Sequence, residues 1–67
     1  DEEFFETVMS KLQLLIQEGV TKEKIELIEE ACKEKNKNKV VDFLKDVASG
    51  TISSLIATGI LYKFGIR

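Results

Sequence analysis

Sixty-seven residues are enough for one small domain, close to the lower limit at which a chain buries enough apolar surface to fold alone. With 43% hydrophobic and 33% charged residues the composition excludes a disordered chain, and the lack of proline beside abundant Glu, Lys, Leu and Ile predicts an all-helical one. A net charge of −2 and a pI near 5.1 argue against a dedicated nucleic-acid binder, which needs clustered Lys and Arg to meet phosphates.

Charge is unevenly spread. Residues 1–32 hold nine acidic and three basic side chains, whereas residues 33–67 hold three acidic and seven basic. Such a two-pole molecule is suited to head-to-tail association, or to facing an anionic surface with its basic half. Cys32 is the lone cysteine and has no internal disulfide partner, so a reducing, cytoplasmic location is expected. The start DEEFFET has the wrong charge for a signal peptide. Because it also lacks an initiator methionine, residues 1–67 are read as a single domain that is a processed product or the terminal domain of a longer protein.

In chain order, Phe5, Val8, Leu12, Leu15 and Ile16 recur at helical spacing, with Phe4 and Met9 widening the stripe, which predicts a helix over residues 2–18. Asp1, Glu2, Glu3 and Glu6 complement the positive end of its dipole, and Gly19 supplies a left-handed stop. Thr21 is placed to cap a second helix over residues 22–35, with Val20 and Ile25 as a hydrophobic staple. That helix turns Ile25, Ile28, Ala31 and Cys32 inward and Glu23, Glu26, Glu29 and Glu30 outward. The polar run KEKNKNK breaks the chain, and a third helix is expected from Asn38, carrying Val40, Val41, Phe43, Leu44, Val47 and Ala48. Ser49, Gly50 and Thr51 are read as its end and as the cap of a fourth helix over residues 51–64. The expected fold is therefore an all-α bundle of four short helices, the apolar C-terminal helix central among them.

The stretch Val47 to Tyr62 contains no charged residue, so it must be hidden in a core, against another chain or in lipid. Sixteen residues, several of them Ser, Thr or Gly, fall short of the roughly 20 apolar residues that cross a bilayer, which favours protein neighbours. Small residues recur every four positions at Ser49, Ser53 and Ala57, and at Gly50, Ser54 and Thr58, a spacing that admits a close-packed helix. Leu14 to Ile28 has the outline of a helix-turn-helix, but its second helix would offer glutamates where base edges need Arg, Lys, Asn or Gln. Lys33, Lys35, Lys37 and Lys39 alternate with Glu and Asn and make no single-faced stripe. As a loop they are the candidate contacts for an anionic surface.

Enzyme chemistry finds no purchase. The chain has no histidine, Cys32 lies among Glu29, Glu30 and Glu34, and no glycine-rich phosphate loop occurs. No cofactor or metal is called for. The expected function is a non-enzymatic protein-interaction or self-assembly module, bound to a protein partner or to further copies of itself. Ile52, Leu55, Ile56, Ala57, Ile60, Leu61 and Phe64 would form its contact surface, with Ser53, Ala57 and Gly59 allowing close approach. The alternative is a membrane-active, toxin-like chain that inserts residues 47–66, and a weaker one is a small DNA-associated regulator.

Overall fold

The computed structural model describes residues 1–66. It is all-α, with five helices among the described residues: α1 (Glu2–Ser10), α2 (Leu12–Gln17), α3 (Lys22–Lys33), α4 (Lys37–Ser49) and α5 (Leu55–Lys63). They form a bundle of 27 × 23 × 17 Å in which α4 packs against both α3 and α5, and the α1–α2 arm covers α3 and touches α5.

The first expected helix is two. The chain breaks at Lys11 (φ −102°, ψ 2°), where the Ser10 hydroxyl donates to the Thr7 carbonyl at 2.8 Å and competes with the backbone ladder. This bend reorients the second half. Phe4, Phe5, Val8 and Leu15 are buried, whereas Ile16 and Met9, expected inward, are exposed.

Helix stops follow one design. After α2, Val20 N–H donates to the Leu15 carbonyl and Gly19 N–H to that of Ile16, with Gly19 at φ +107° as its spacing predicts. After α3 the same pair of bonds runs from Asn36 to Ala31 and from Lys35 to Cys32, but the left-handed residue is Lys35, at φ +57°. Starts also agree with the sequence at Thr21, whose Oγ1 accepts from Lys24 N–H at 3.3 Å. Asn36 rather than Asn38 opens α4, its Oδ1 accepting from Lys39 N–H at 3.1 Å.

The last element departs most from expectation. Its helix begins at Leu55, not residue 51, and Gly50 to Ser54 form a turn in which Ser53 takes φ +50°. Ser53 N–H donates to the Gly50 carbonyl and Ser54 N–H to that of Val47, which closes the turn tightly under α4. Val40, Leu44 and Val47 from α4 meet Ala57, Ile60 and Leu61 from α5 in the common core with Ile25, Ile28, Ala31 and Cys32. The Phe64 ring meets Phe4 edge to face at 5.2 Å and ties the two ends of the chain together.

Candidate interaction surface

The orientation of α5 is set at its first turn. Ser54 is buried, and its hydroxyl accepts from Ala57 N–H at 2.9 Å while donating to Glu18 Oε1 at 2.5 Å. The other oxygen of Glu18 accepts from Leu55 N–H at 3.0 Å and Ile56 N–H at 3.3 Å. A carboxylate from the end of α2 thus caps a helix 36 residues further on, where negative charge meets the positive dipole end. The Ser54 hydroxyl, then the two backbone N–H groups, hold the Glu18 carboxyl below its ordinary value against the opposing effect of burial.

With its start pinned, α5 turns Ala57, Ile60 and Leu61 onto α4, so these three belong to the core and not to a contact surface, contrary to expectation. Ile56 and Phe64 are half-buried against the same core. Of the expected contact residues, Leu55 stands out at 79% exposed and Ile52 at 38%. Tyr62, two turns beyond Leu55 on the same face, is 87% exposed. Thr58 and Gly59 lie between them, so the outward stripe of α5 carries no charge. The helix is therefore covered on one side and open on the other.

Beside that stripe, a groove of about 240 Å³ runs between the α1–α2 arm and α5. Leu55, Ile56, Gly59, Ile60 and Lys63 of α5 line it on one side, and Thr7 and Lys11 on the other. Among the described residues its ionisable groups are the two lysines. A Cβ built on Gly59 meets nothing within 4 Å.

Two further hollows are shallower in chemistry. One, of about 360 Å³, lies where Phe5, Met9 and Cys32 meet Glu2, Glu6 and Lys35. Burial, and then the Glu29 charge, push the Cys32 thiol up, which keeps it protonated and unreactive at neutral pH. The other, of about 310 Å³, borders the Lys24–Asp46 ion pair and Ile52. Among the described residues no three Cys, Asp or Glu side chains come together to hold a metal ion.

The basic loop is engaged within the chain. Lys35 pairs with Glu2, Lys37 with Asp1 at 3.3 Å and Lys39 with Glu34 at 3.8 Å. The Lys35 ammonium accordingly holds the Glu2 carboxyl down. Three of the four lysines expected to face an anionic surface thus answer acidic groups of this chain, and the two charge poles meet at the N-terminus. Lys33 has no ion pair with a described residue. The α2–turn–α3 unit keeps Glu23, Glu26 and Glu30 exposed, the face a DNA-reading helix would have to present.

The uncharged run is divided by the Gly50–Ser54 turn, and no helix among the described residues is long and apolar enough to cross a membrane. Compared with family models, curated proteins and solved structures, the chain matches none of them.

Proposed function

We propose that this chain is a non-enzymatic protein-interaction module whose docking surface is the outward stripe of α5. The observation that carries the reading is the exposure of Leu55 and Tyr62 at 79% and 87%, two turns apart on one uncharged helix face. Single exposed apolar residues are ordinary, but a leucine and a tyrosine two turns apart on a helix whose other side is core, with only Thr58 and Gly59 between them, form an uncharged stripe with an apolar residue at each end. Tyrosine is also among the residue types enriched where binding energy concentrates. The acidic faces of α1 and α3 keep such a surface in solution. A cytoplasmic location is part of the reading and is supported by Cys32, a free and buried thiol.

Membrane insertion has less support, because α5 spans nine residues, about 13–14 Å of helix, against a hydrocarbon core of about 30 Å. The test pairs stability with association. Leu55→Ser/Tyr62→Ser is expected to change unfolding free energy by no more than about 0.5 kcal/mol, since surface residues outside the core contribute little to folding. Light scattering over a concentration series should show any self-association of the wild type abolished in the variant. A loss of several kcal/mol in the variant would assign the stripe to the fold and overturn the reading.

A further inference from the structure

We infer that the groove between the α1–α2 arm and α5 seats an amphipathic helix of a partner protein, with acidic residues flanking its apolar stripe. This rests on the reading of α5 as a docking surface and adds the chemistry of what docks there.

Charge gives the first argument. The groove has an apolar floor of Leu55, Ile56 and Ile60, and among the described residues its ionisable walls are Lys11 and Lys63. Neither lysine forms an ion pair with a described residue, in contrast to Lys24, Lys35, Lys37 and Lys39. Lys63 instead lies 5.6 Å from the Phe64 ring centroid. Two cations with no ion pair among the described residues, set along an apolar trough, complement a ligand that is apolar in the middle and negative at its margins.

Shape gives the second. At about 240 Å³ the groove is smaller than the roughly 300–1,000 Å³ of a small-molecule pocket, yet it is open along a helix. It suits the few side chains that a helix inserts at i, i+3/i+4 and i+7. Gly59 lines it with open space above it. A glycine inside a helix is unfavourable relative to alanine, and no atom of this chain crowds it. A helix laid across the groove uses that gap for close backbone approach.

A second copy fits less well. A symmetric pair would bring Lys11 and Lys63 of both copies into one seam, with like charges opposed. The chain's own acidic helix α3 has its apolar face, Ile25, Ile28, Ala31 and Cys32, committed to the core.

The test is a selection from a display library of helical peptides of about 15 residues, with the apolar stripe fixed and the flanking positions free to be Glu, Lys, Gln or Ser. Glutamate is expected to dominate the flanks of selected binders. Lys11→Glu/Lys63→Glu should weaken the best binder about tenfold, and Gly59→Leu should abolish binding with helicity intact by circular dichroism. Binders without acidic preference, or indifferent to the lysine reversals, overturn the inference. If those binders still fail on Leu55→Ser/Tyr62→Ser, the docking surface stands and only the partner chemistry falls. No peptide binder, with no vesicle binding either, overturns both. Binding of the wild type to phosphatidylserine vesicles, lost in the lysine reversal and without any peptide selected, would replace the helix by a lipid surface.

Discussion

At the scale of single residues, the contact between Glu18 and Ser54 decides more than any other polar pair. Ser54 is a local cap of α5, and Glu18 is a remote one, so removing either leaves helix-end donors short of an acceptor. Ser54→Ala is expected to cost about 1–2 kcal/mol in urea unfolding, because the Ala57 N–H it serves is buried. Glu18→Gln removes the charge and keeps one acceptor. The Glu18 carboxyl is depressed in the fold, so its contribution is present above its unfolded value of about 4.3 and is lost as pH falls through the lower folded value. The gap between wild type and Glu18→Gln should therefore be full near neutral pH and close as pH falls through the lowered folded value. A gap that stays constant across that range would show that the carboxylate is not what holds α5.

At the scale of elements, α5 is a helix whose hidden and exposed faces cannot be told apart by apolarity, since Leu55, Ile56, Ile60, Leu61 and Tyr62 surround it. What chooses the face is the cap. Four residues upstream of Leu55 could have served, Ser49, Thr51, Ser53 and Ser54, all of them good helix starters in isolation. Only Ser54 meets Glu18, a partner 36 positions away, and no local pattern carries that information. The break at Lys11 escaped sequence reasoning for a related reason: neither glycine nor proline marks it. The Gly19 stop and the Thr21 cap were legible because each is decided by its own residue and immediate neighbours. Gly59 provides the element-level prediction. Gly59→Ala should stabilise the chain by about 0.5–1 kcal/mol, measured by thermal or denaturant unfolding, as the added methyl meets open space in a helix interior. A destabilised variant would mean that the groove closes on that backbone in solution.

At the scale of the whole molecule, the all-α character and the membership of the core were largely legible, because both follow from composition and helical periodicity. The division of the C-terminal helix into buried and exposed faces was legible only in part. Of the residues expected at the surface of the C-terminal helix, Leu55 and Ile52 are exposed, whereas Ala57, Ile60 and Leu61 answer to the core. The accessible surface of 4435 Å² is close to the roughly 4,300 Å² expected of a compact protein of 7.6 kDa, so the open side of α5 is not the product of a loose fold. Stability at this length is about 3–10 kcal/mol in total, by the usual range per residue. Phe4 is almost fully buried and joins α1 to Phe64 past the end of α5. Phe4→Ala is thus expected to cost about 3–5 kcal/mol and to leave a large unfolded fraction at 37 °C by circular dichroism. A variant that melts within a few degrees of the wild type would mean that the two ends of the chain are not jointly required.

The corner between α3 and α4 has no slack. Asn36 both donates the final bond that closes α3 and accepts the first that opens α4, so one residue serves two helices and the spacer between them is Glu34 and Lys35 alone. An extra residue inserted there would separate the Asn36 bond to Ala31 that closes α3 from the Asn36 cap that opens α4, so one of the two would be lost. The Gly50–Ser54 turn is mostly exposed, and lengthening it between Gly50 and Thr51 gives up the Ser53–Gly50 and Ser54–Val47 backbone bonds but leaves the Ser54 cap of α5 beyond the insertion. Grafts, tags and cleavage sites therefore belong at that second junction, and the first behaves as a rigid elbow that carries α3 and α4 together.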